Sequence, residues 1–144
     1  MGNNKILVAG LAGAVTLFIL GWIIYGMLLM DFMAANAGSA TGVNKSEDEM
    51  SFLWIIIGNL ASGYLFAVIF GKYGNINTAM AGIQAGALIG LLMGVGVDAV
   101  MYATTNMMNM TAMCADVACW IVMSAITGGV VAGVLGMGNK TATA

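Results

Sequence analysis

The chain contains no histidine, no arginine and no proline, and only 7% of its 144 residues are charged. Without histidine, imidazole-bound haem and histidine-based zinc chemistry are excluded, and the commonest general base and proton shuttle is missing. Without arginine, and with a net charge of −2, there is no electrostatic footing for phosphate or nucleic-acid recognition. Without proline, and with 21 glycines, the chain reads as uninterrupted helices that use glycine for close contact, not as disorder or collagen. The two cysteines, Cys114 and Cys119, are spaced i to i+5. That spacing puts them on different helix faces, so they read as small packing residues, not as a disulfide or metal pair. No cofactor is implied.

The scarcity of charge also says what the solvent is. Hydrophobic residues make up 61% of the chain and mean hydropathy is +0.98, whereas soluble domains carry about a quarter charged residues. One membrane domain over residues 1–144 is the expectation, with four apolar runs at about 6–30, 52–71, 78–104 and 110–137. Each is long enough to cross about 30 Å of hydrocarbon at about 1.5 Å per residue. The first run is too long for a signal-peptide core and reads as a retained helix. A polar outer loop, 31–51, holds Ser46-Glu47-Asp48-Glu49, which fits a serine N-cap and acidic first turn for the second helix.

Short links after the second and third runs force antiparallel neighbours and place both termini on one side. Lys5, Lys72 and Lys140 then fall on the side of the termini, and only Lys45 on the other. Because lysine is retained in the cytoplasm, the expected topology is N-in and C-in, in a bacterial inner membrane. All six acidic residues then share the outer half.

In the third run Gly82, Gly86, Gly90, Gly94, Asp98 and Tyr102 recur at every fourth position. A helix stacks i and i+4 residues on one stripe, so this face is a glycine groove that ends in a carboxylate and a phenol. In lipid such a groove lets a neighbouring backbone approach closely. The fourth run carries a matching stripe, Asp116, Trp120, Ser124, Gly128, Ala132 and Gly136. Asp98 and Asp116 are equally spaced from Met107 at the turn, which sets them level, a few ångströms below the outer boundary.

The two halves of the chain also repeat. Ala12-Gly13-Ala14 aligns with Ala85-Gly86-Ala87, Gly21 with Gly94, Trp54-Ile55 with Trp120-Ile121, and Ser62-Gly63 with Gly128-Gly129. The fold class expected is therefore an all-α membrane protein: four transmembrane helices as two tandem hairpins about a pseudo-two-fold axis along the membrane normal. The alignment sets Asp98 opposite Tyr25 and Asp116 opposite Met50, so the acids belong to the second hairpin alone.

Carboxyls at such depth usually mark ion paths or proton relays, and a close pair naturally shares one proton. The competing reading is a pair of satisfied groups, bonded to Tyr102, Asn59, Ser62 or a carbonyl, that pins helix register. Asn59 and Gln84 are expected to bond between helices. Among 14 methionines, Met27, Met30, Met33, Met101, Met107, Met108, Met110 and Met113 gather at the outer end. Thioethers there could hold Cu(I), although methionine equally fills gaps beside glycine.

With Leu20-Gly21-Trp22-Ile23-Ile24-Tyr25-Gly26-Met27-Leu28 closing the first helix and Cys114-Ala115-Asp116-Val117-Ala118-Cys119-Trp120 opening the fourth, the chain resembles a bacterial four-helix membrane family catalogued only as a domain of unknown function. That family's first helix typically ends in Trp-Tyr-Ser-Pro, whereas here Trp22 and Tyr25 are separated and no proline is present. The resemblance implies a small inner-membrane protein and carries no activity.

The leading expectation is a non-enzymatic membrane protein that assembles through glycine-rich faces, with packing residues Gly82, Gly86, Gly90, Gly94, Ser124 and Gly128, as a homo-oligomer or an accessory subunit of a larger membrane complex. The alternative is a small proton- or cation-coupled transporter or channel using Asp98 and Asp116, with Tyr102 and Asn59 beside them. A second alternative is soft-metal binding by the outer methionines. An enzyme is not expected, since no nucleophile and base pair or metal set is visible.

Overall fold

A computed structural model describes residues 2–137; the polar tail, with Lys140, lies outside the described residues. Among these the chain is helical, with no strand and one isolated antiparallel bridge between Ala37 and Met108. In chain order the helices are α1 (Asn3–Leu28), a short α2 (Met30–Ala35), α3 (Phe52–Gly74), α4 (Ala79–Thr104) and α5 (Met110–Gly136). The four long ones, of 26, 23, 26 and 27 residues, are long and apolar enough to cross a membrane.

Local chemistry sets their ends. The Thr78 hydroxyl accepts from the Ala81 N–H at the start of α4, and the Asn109 side chain accepts from the Ala112 N–H, at 2.9 Å, at the start of α5. Helix α3 stops at Asn75, whose φ of +48° is left-handed, a conformation that asparagine tolerates. Both α1 and α3 finish in a π-helical turn, over Ile24–Leu28 and Ile69–Gly74.

The segment expected to be loop, 31–51, is partly helical, because after a break at Leu29 the chain resumes as α2. Ser46 does not cap α3. Its N–H and hydroxyl both donate to the Glu49 carboxylate around a short 3-10 turn, Glu47–Glu49, and Ser51 stands at the N-cap position of α3. The Ser46 and Glu49 side chains are thus satisfied within one tight turn before the helix begins.

Helix α5 packs against both α1 and α4, α3 packs against α1, and α4 makes its contacts with α5. The apolar core, Ile6, Ala9, Phe66, Ala67, Phe70, Val131, Ala132 and Leu135, lies at the end that holds the first residues and the 75–78 turn. There Phe66 and Phe70 meet edge to face at 5.7 Å, and the Lys5 amine donates to the Met137 carbonyl at 2.8 Å. At the opposite end two loops are joined: Gly38 N–H donates to Met107 O, Ala40 N–H to Asn106 O, and Asn109 N–H to Asn36 O, all within 3.0–3.1 Å.

The two ends differ in α3. Its second half is gripped, and a Cβ at Gly63 would collide with the Ala14 amide and the Gly10 carbonyl. In its first half Phe52, Leu53, Trp54, Ile55, Ile56, Ile57 and Leu60 are all exposed, Trp54 at 69%. A helix segment apolar on every side is stable only where its solvent is hydrocarbon.

Candidate functional site

The strip on α4 faces α5. Gly82, Gly86, Gly90, Gly94 and Asp98 are all buried, and a Cβ at the first three would strike the carbonyl oxygens of Gly128, Ser124 and Trp120 respectively. Of the packing residues expected from the sequence, Gly82, Gly86 and Gly90 meet Gly128 and Ser124 within the chain, whereas Gly94 faces Trp120. Close backbone approach of this kind positions the rest of the strip to within the tolerance of a close-packed core.

The next residue on the strip after Gly94 is Asp98, 2% exposed, whose carboxyl interacts with that of Asp116 on α5. Asp116 in turn accepts a hydrogen bond from the Tyr25 hydroxyl of α1. Cys119, buried one turn along α5, faces Tyr25 and Asp116. One Asp98 oxygen, Oδ2, is buried with no hydrogen-bond partner among the described residues, and so is the Thr127 hydroxyl deeper on α5. Buried polar atoms are normally paired, so each orphan needs a reason. The titratable groups around the pair are Tyr25 from α1 and Cys119 from α5; α3 presents only Asn59 and Ser62, which do not titrate.

Beside this cluster a cleft of about 360 Å³ opens between α1, α3 and α5. Tyr25, Asp116, Asn59, Ser62 and Ser124 provide its polar lining, and Trp120, Phe66, Leu17 and Met123 its apolar walls. It lies where the unpacked half of α3 leaves the bundle.

Two expected members of the site sit elsewhere or act otherwise. Tyr102 is 40% exposed. The reason is geometric: four-residue steps overshoot a 3.6-residue turn by about 40° each, so a strip that faces α5 through Asp98 has rotated away by Tyr102. Asn59 does not bond across helices, since its amide donates to the Ile55 carbonyl on its own helix at 2.8 Å, although it lines the cleft. Gln84 is exposed on α4. Of the outer methionines, Met27, Met30 and Met110 are exposed, and no three or more His, Cys, Asp or Glu among the described residues are grouped to hold a metal ion.

Tyr25 is the partner that sequence reasoning missed. The signal was present in the repeat alignment, which set Tyr25 opposite Asp98; both converge on Asp116. No protein-family model, curated protein or solved structure matches the chain.

Proposed function

We propose that this chain is a small integral protein of a bacterial inner membrane that carries a proton or small cation through the Asp98 and Asp116 pair. The observation that carries the reading is the pair itself: two carboxyls that face each other across the α4 and α5 pair, one oxygen orphaned, the other acid held by a phenol. Ionisable groups at this depth are costly and usually functional. A proton held between the carboxyls relieves their repulsion and gives Asp98 a hydrogen to donate. The topology we propose is two tandem hairpins with N-in and C-in. In support, Lys5 and Lys72 lie toward the end of the termini and Lys45 in the opposite loop, and Gly13 meets Gly63 in one helix pair as Gly86 meets Gly128 in the other.

The test is flux. Purified protein in liposomes should dissipate an imposed proton gradient, and Asp98→Asn should abolish this; wild-type liposomes as tight as empty ones would remove the reading.

A second reading, assembly with another copy or a larger complex, is favoured by the bare outer half of α3 and by Gly58 and Gly96, which have nothing within 4 Å. The glycine strip of α4 is covered by α5, so docking would use these other faces. Crosslinking in native membranes should then trap a larger species that Gly58→Leu abolishes; a monomer throughout would count against it.

A further inference from the structure

We propose that the cleft between α1, α3 and α5 binds a small organic ammonium ion, its nitrogen at Asp116 and Tyr25 and its apolar body against Trp120 and Phe66. This rests on the proton-pair reading and names the ligand that competes with the proton. Four observations converge on it.

The sign of the site is set by Asp116, the one charged side chain in the lining. Anions are therefore repelled, and a cation gains a partner in a medium where unpaired charge is expensive. The lining is also rich in acceptor oxygens beyond the Asp116 carboxylate. Asn59 donates one amide N–H to the Ile55 carbonyl and keeps its own carbonyl oxygen as an acceptor. Ser124, 3% exposed, and Ser62 form no hydrogen bond among the described residues. A group with several N–H donors and no acceptor complements that set, and an ammonium is such a group.

The walls fit the rest of the molecule. Trp120 and Phe66 bring aromatic rings to the lining, a class of side chain that attracts ammonium ions, strongly so when desolvated, and Leu17 and Met123 add apolar surface. The volume, about 360 Å³, is at the small end of the roughly 300–1,000 Å³ range of ligand pockets. On entry the ammonium keeps its own protons and pairs with the Asp116 carboxylate; the proton formerly held between Asp98 and Asp116 leaves to water. No bond is made or broken beyond that transfer, and charge balances: one cation enters, one proton leaves.

An ammonium of this kind has two sources, a free amine or the headgroup of an aminophospholipid beside the open flank of α3. The test uses purified protein in phosphatidylcholine nanodiscs, titrated with 2-phenylethylammonium in weakly buffered solution containing a pH indicator. Saturable binding is expected with about one proton released per site, no saturable binding of neutral 2-phenylethanol, and a loss of roughly tenfold or more in affinity for Asp116→Asn. Ser62→Leu, at an exposed position that leaves both acids in place, should fill the cleft and block binding. Repeating the titration in phosphatidylethanolamine nanodiscs identifies the source: competition assigns the site to the lipid headgroup, undiminished binding to a free amine. No saturable binding in phosphatidylcholine, or equal binding by 2-phenylethanol, overturns the proposal. The infrared band of a protonated carboxyl, lost in Asp98→Asn, reports the proton pair separately. If the band is present and binding absent, the ligand assignment fails alone; if the band is absent from the wild type, the proton reading fails as well.

Discussion

The two ends of this bundle are built to different specifications. At the end of the termini, Ile6, Ala9, Phe66, Phe70, Val131 and Leu135 interlock around glycine contacts. At the other end the first half of α3 touches little, and the space it vacates is lined by the polar side chains of the cleft. In water apolar burial would have to be spread over the whole bundle. In lipid an exposed Leu53 or Ile56 costs nothing, so the sequence can concentrate packing in one half and leave the other open for a site.

That contrast can be broken most severely from the packed side. Gly86→Leu should cost about 3 kcal/mol or more, because its side chain would enter the Ser124 carbonyl and no flexible group there can yield; unfolding in a detergent titration measures it. Gly63→Val should come next at about 2–3 kcal/mol by the same assay, the obstruction being the Ala14 and Gly10 backbone. At the open end the effects are smaller and of another kind. Tyr25→Phe removes the donor to Asp116 and should cost about 1 kcal/mol, the usual scale of a hydrogen bond inside a membrane protein, while the liposome assay registers a larger change in proton flux. Thr127→Val sharpens the contrast from inside the core: the buried hydroxyl has no partner among the described residues, so its replacement by a methyl should leave stability unchanged or raise it by up to about 1 kcal/mol in the detergent titration. Gly58→Leu, with open space around it, should shift stability by less than about 0.5 kcal/mol. If Gly58→Leu proved as damaging as Gly63→Val, the two halves would be packed alike and the contrast would be wrong.

Legibility in the sequence has the same physical basis. The four long apolar helices were legible because crossing hydrocarbon demands such runs, and the strip from Gly82 to Asp98 because backbone contact demands glycine at helical spacing. The level placement of Asp98 and Asp116 could be read from the short turn at Met107, and the two carboxyls do interact. Tyr25 was legible only as the repeat counterpart of Asp98; that its hydroxyl reaches Asp116 depends on which face α1 turns to α5, a tertiary fact the alignment does not carry. Asn59 and Ser46 misled for the opposite reason. Both have polar side chains that could reach across the structure, and both are satisfied within a few residues, at Ile55 and Glu49. The cleft itself was invisible in the sequence, since a helix apolar on every side reads the same whether it is packed or bare.

The two joined loops carry one more consequence. Asn36, Gly38 and Ala40 are tied to Asn106, Met107 and Asn109, so the chain just past α1 and α2 is bound to the link between α4 and α5. Three of the four long helices are therefore joined at that end by backbone hydrogen bonds that leave α3 out. The flank of the cleft that α3 supplies through Asn59 and Ser62 is thus the one these bonds do not hold.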